Sequence, residues 1–113
     1  MRPVREAEGR AVLRRCFEAR GLHIEEDVDL QAEGVAIVLD GYDRARRLGY
    51  EFVTSEAGDR EEVTPEVVAA LEARMAAGSL AVFLVDEEDI DSEADLEAAA
   101  LRFLDEIGKR GLL

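Results

Sequence analysis

The stretch from Val35 to Thr54, VAIVLDGYDRARRLGYEFVT, holds two strand-like runs joined by a short polar link. A link of this length cannot carry a crossover, so the two runs must lie antiparallel and adjacent. Asp40 ends the first run and Glu51 stands early in the second. Two neighbouring strands that each deliver one carboxylate to the same place form the skeleton of a divalent-metal site, with magnesium as the natural ion for a few carboxylates and waters. Taken singly, Asp40 suits a cap or turn at a strand end, and Glu51 suits an edge-facing position.

Around this hairpin the pattern is regular. Pro3 to Arg20 reads as a helix stopped by Gly21, with Val12, Leu13, Cys16 and Phe17 as its apolar stripe. Leu22 to Leu30 alternates apolar and charged residues, as a half-exposed strand does, and only Glu26 falls on the apolar side. A bulge, a frayed edge or a site would each account for Glu26. Gln31 to Gly34 reads as a turn. Val35 to Leu39 is apolar on both faces, the signature of a covered strand, and Gly41 to Leu48 is expected to link it to a third strand, Gly49 to Thr54. Thr64-Pro65 opens a second helix by a cap followed by proline, and Gly78 closes it. Leu80 to Val85 is apolar enough for a central fourth strand, and Ser92 with Asp95 caps a last helix carrying Leu96, Ala100, Phe103, Leu104 and Ile107.

The fold class expected is therefore α/β (α+β): one domain over residues 1–113, in the order α-β-β-β-α-β-α, with a mixed four-stranded sheet packed with helices. The helix between the third and fourth strands is long enough for those two to run parallel.

The order α-β-β-β-α-β, with an aspartate ending the second strand and an acidic-x-lysine motif in the third, resembles the core of the PD-(D/E)XK nuclease superfamily. The matching residues are Asp40, preceded by Leu39 where the family often has proline, and Glu51-Phe52-Val53; the resemblance covers Arg5 to about Val85. It implies magnesium held by Asp40 and Glu51 and phosphodiester hydrolysis by an oriented water. The family's lysine position is here Val53, which can neither orient nor activate water.

Charge narrows the partners. The chain has 27 acidic and 14 basic residues, a formal net charge of −13, and Lys109 is its one lysine. Such a surface repels a phosphate backbone, so nucleic acid is not the expected partner. Asp86 to Asp95 is the densest acidic run, seven of ten residues, but the calcium-loop pattern fails: counted from Asp89, Ala94 stands where glycine is needed and Ala100 where a bidentate glutamate belongs. Acids ahead of a helix also complement its dipole. A single histidine, His23, leaves no second candidate for a histidine-based triad, and the lone Cys16 excludes an internal disulfide. With no apolar leader or long apolar run, the expected setting is cytoplasmic.

The sequence thus favours a non-catalytic, protein-binding or regulatory module without a cofactor. Its expected partner carries a basic surface and meets Asp86, Glu87, Glu88, Asp89 and Asp91, with Glu56 to Glu62 nearby and Tyr42 as an aromatic anchor. The alternatives are a metal-dependent phosphodiesterase, intact or degenerate, on Asp40 and Glu51, and a structural homo-oligomer formed through the last helix or a strand edge.

Overall fold

A computed structural model describes residues 4–32 and 35–112. Its order is α1 (Glu6–Glu18), β1 (Glu25–Ala32), β2 (Val35–Asp43), β3 (Leu48–Val53), α2 (Pro65–Ala77), β4 (Ala81–Asp86) and α3 (Glu93–Lys109), with one-turn 3-10 segments at Asp59–Glu61 and Glu87–Asp89. The sheet runs β1-β2-β3-β4; its first two pairings are antiparallel and the last, β3 with β4, is parallel. The expected architecture is present. Pro3 and the second half of the expected Gln31–Gly34 turn, Glu33 and Gly34, lie outside the described residues, while Gln31 and Ala32 continue β1.

Two apolar clusters hold the layers together. α1 contributes Val12, Leu13 and Phe17, and α3 contributes Leu96, Ala100, Leu104 and Ile107, to a cluster around Tyr50 and Phe52 of β3. The second cluster joins Val67 and Leu71 of α2 to Val28, Val35, Ile37, Leu39, Tyr42 and Val82. Approach is closest at Gly9, where an added Cβ would stand 2.2 Å from the Phe52 ring. That glycine lets α1 settle onto β3. Capping follows the sequence: Thr64 Oγ1 accepts from Val67 N–H at 3.2 Å and Ser92 Oγ from Asp95 N–H at 3.1 Å, and Gly78 ends α2 at φ +75.

Several expectations are corrected. β4 lies at the sheet edge rather than its centre; it is apolar because both clusters draw on it, Ala81 and Val85 for the first and Val82 for the second. β2 is not covered on both faces along its first half, since Ala36 and Val38 are exposed. β2 also runs on to Asp43, so Tyr42 belongs to a strand and not to a link. Glu26 occupies neither a bulge nor an apolar position: the β1–β2 register is constant along its length, and Glu26 is exposed, with Arg14 at 2.5 Å.

Candidate functional site

Regular pairing fails at one level of the sheet. In the β1–β2 ladder the pair Asp27–Asp40 is missing between Glu26–Gly41 and Val28–Leu39, and Asp27 has φ +53, unusual for a residue with a side chain. The β2–β3 ladder joins only Gly41–Asp43 to Leu48–Tyr50 and stops one step short of Asp40 and Glu51. Gly41 is required at this step, because a Cβ there would stand 2.3 Å from the Tyr50 ring. Beyond it the strands part, and the two carboxyl groups take over their hydrogen bonding. Asp40 N–H donates to Glu51 Oε1 at 2.9 Å, and Phe52 N–H donates to Asp40 Oδ2 at 2.8 Å. A buried backbone N–H without an acceptor is costly, so this exchange is what permits the strands to part inside the core.

The sequence thus foresaw the convergence of Asp40 and Glu51. An edge-facing Glu51 is corrected, however: Glu51 is 0 % exposed and Asp40 6 %. Further groups complete the cluster, among them Asp59, which the acidic run Glu56 to Glu62 had placed on a contact surface and which is buried instead. Arg10 of α1 stands 3.8 Å from Asp40 Oδ1 and 3.1 Å from Asp27 Oδ1. Thr54, just past β3, donates its hydroxyl to Glu6 Oε2 at 2.6 Å and its N–H to Asp59 Oδ2 at 3.2 Å. Asp59 is itself buried, and single oxygens of Glu51, Asp59 and Glu62 lie within 4.8 Å of one another. Glu51 Oε2 is buried without an N–H or O–H donor, and the Glu51 and Asp40 carboxyl groups lie close enough to share a proton.

Protons follow from this crowding. Burial, reinforced by Asp40 and Asp59, pushes the Glu51 carboxyl up to about 10, so without a cation it is neutral at physiological pH. Burial also raises Asp40, against the Phe52 N–H and Arg10, which favour its ionised form. Glu6 is carried up to about 7 by burial, opposed by the Thr54 hydroxyl and aided by Asp40 and Asp59. A carboxylic acid sheltered among carboxylates can hold a proton, or can exchange that proton for a metal ion.

The acidic segments come together at the neighbouring end of the parallel pair. Register places Val53 beside Asp86, so the chain leaves β3 and β4 side by side. Ser55 N–H donates to Glu87 Oε2, tying the two exits together. Asp86 Oδ1 accepts from Glu88 N–H at 2.9 Å, an intramolecular duty, while Glu88, Asp89 and Asp91 are exposed. Between the exits lies a cavity of ≈ 300 Å³ lined by Val53, Val63, Val68, Leu84, Asp86 and Asp89. Val53 is part of its wall. A larger cleft of ≈ 640 Å³ runs along α1 past Ala7 and Ala11 toward Glu26, Glu56 and Ala57. Its charges are largely paired: Arg5 with Glu56 at 2.7 Å, Arg14 with Glu26, and Arg10 with Asp27.

Tyr42, expected as a partner anchor, is 5 % exposed inside the second cluster and closed to any partner. His23 is exposed; its backbone N–H donates to Asp43 Oδ2 at 2.8 Å. Cys16 is buried. Among the described residues no helix is long and apolar enough to cross a membrane. No protein-family model, curated protein or solved structure matches this chain.

Proposed function

We propose that this chain is an acidic, non-catalytic binding module that docks a basic protein segment where β3 and β4 end. The observation that carries the reading is the ≈ 300 Å³ cavity that sets Val53, Val63, Val68 and Leu84 beside Asp86 and Asp89, between two acidic loops. Apolar anchors buried in a pocket supply most of the affinity of an interface, and surrounding charge supplies steering and orientation. The partner segment this face fits is an apolar side chain flanked by arginine or lysine. Glu88, Asp89 and Asp91 are exposed to meet those cations, and Asp86 and Glu87 are partly exposed beside them.

The test is fluorescence anisotropy with a labelled peptide carrying one leucine between arginines. Binding should weaken with added salt, since exposed charges are screened. It should fall about tenfold when the leucine becomes alanine, the lower range for losing a buried apolar side chain. Asp89→Arg should weaken it as well. Binding indifferent to both the leucine and Asp89→Arg would mean only diffuse charge attraction and would end this reading.

A second reading, metal-dependent phosphodiester hydrolysis, is favoured by the convergence of Asp40 and Glu51. Its weakness is chemical. The guanidinium of Arg10 is a poor base and is engaged by Asp40, Asp27 and Glu26. Turnover of bis(p-nitrophenyl) phosphate with manganese, lost in Asp40→Asn, would replace the docking reading with this one.

A further inference from the structure

Asp40 is less free to ligate than its place in the strand suggests. One of its oxygens accepts the Phe52 N–H, and the other faces Arg10. The open valence in this region belongs to Glu51 instead. Its Oε1 accepts from Asp40 N–H, and its Oε2 is buried with no N–H or O–H donor beside it, the Asp40 carboxyl being the side chain's other polar neighbour. Buried polar atoms are nearly always satisfied, so an orphan of this kind calls for a missing proton acceptor, water or ion.

We propose that Glu51, Asp59 and Glu62 bind one hard divalent cation, of the calcium, manganese or magnesium class, at the base of the loop that follows β3. Oxygens no more than 4.8 Å apart can be spanned by one ion at calcium–oxygen distances of about 2.3–2.6 Å, and by magnesium at about 2.0–2.1 Å after a small inward movement. The three donors are all carboxylates, which suits hard cations and disfavours zinc or copper. Exposure is graded along them: Glu51 is fully buried, Asp59 is 8 % exposed and Glu62 is on the surface. An ion can therefore enter at Glu62 and end against Glu51, with waters filling the remaining positions.

Such an ion would act as a clip. Glu51 belongs to β3, whereas Asp59 opens the 3-10 turn and Glu62 follows it. Asp59 already accepts the Thr54 N–H, and Ser55 already joins Glu87. A cation shared by strand and loop would fix the loop against the exit of β4.

Mn²⁺ titration of the metal-free protein, followed by electron paramagnetic resonance and by thermal shift, tests the site. One saturable Mn²⁺ per chain is expected, displaced by calcium or magnesium. Glu62→Gln, a surface change that leaves the core intact, should weaken binding at least about tenfold, as removal of one charged ligand does. Glu51→Gln should abolish it. Glu61→Gln, one residue away, exposed and outside the cluster, should leave it unchanged. No saturable binding up to about 10 mM, well beyond the weakest built calcium sites, would overturn the proposal. Equal losses in Glu61→Gln and Glu62→Gln would overturn it too, because they would show a diffuse ion atmosphere only.

Discussion

Replacing Glu51 by glutamine should make the metal-free protein more stable, although a buried hydrogen-bonded residue is being changed. Folding moves this carboxyl from an ordinary 4.5 to about 10, through burial and then through Asp40 and Asp59. Between those values the folded chain holds a proton that the unfolded chain has released. Stability therefore falls as pH rises, by about 1.4 kcal/mol per pH unit. Below 4.5 both states are protonated and the effect is absent. From 4.5 to 7 it amounts to about 3 kcal/mol, and this figure requires only that the folded value exceed 7. Glutamine copies the neutral acid: its oxygen can accept the Asp40 N–H, and its amide can donate to a neighbouring carboxylate. In EDTA at pH 7, Glu51→Gln should gain about 2–3 kcal/mol, on the order of 10 °C in Tm for a chain of this size. The gain should vanish near pH 4.5 and widen toward pH 9. Glu6, raised to about 7 mainly by burial, adds a dependence of the same sign to both proteins between 4.5 and 7. Urea unfolding followed by circular dichroism at several pH values measures the difference. Parallel pH profiles, or a variant less stable than the wild type at pH 7, would refute a protonated, crowded Glu51.

Two further outcomes follow from packing. Gly9→Ala should destabilise by about 1–3 kcal/mol, the usual range for overpacking, because the new methyl would meet the Phe52 ring at 2.2 Å; an equilibrium denaturation curve unchanged from wild type would show that α1 sits higher on the sheet. Cys16 should react slowly with iodoacetamide in the native protein and quickly in urea, since burial raises its thiol and closes access to it; equal rates would mean that α1 does not pack as described.

The strands and helices were legible because their periodicities are clean, and the parallel β3–β4 pair followed from the length of the intervening helix. Position within the sheet was not legible. β4 is apolar whether central or at an edge, because helices cover it either way, so its composition misled. Tyr42 misled through the strand boundary: Gly41 reads as a turn residue, but here it is the place where the Tyr50 ring lies on the backbone. Asp40 and Glu51 were visible because both sit in one hairpin, whose register brings them level. Glu6, Arg10, Asp59 and Glu62 reach the site from α1 and from a loop. Nothing in a run such as GDREE distinguishes the buried Asp59 from the exposed Glu61 and Glu62. Thr54 offered the one faint sign, a hydroxyl residue at a strand end placed to tie such groups together.

The early end of the β2–β3 ladder bears on how the molecule opens. Residues 35–39 hydrogen-bond to β1 alone, so this part of the sheet is a two-stranded ribbon. A lone hairpin is marginal in water, and this one is kept down by Val67 and Leu71 of α2 lying against its apolar face. α2 and the ribbon should therefore detach as one cooperative unit, at lower free energy than global unfolding. The amides of Val28 to Ala32 and of Val35 to Leu39 would then exchange with solvent while those of Tyr50 to Val53 stay protected, and the parting of the strands at Asp40 would mark the boundary between two levels of stability within a single domain.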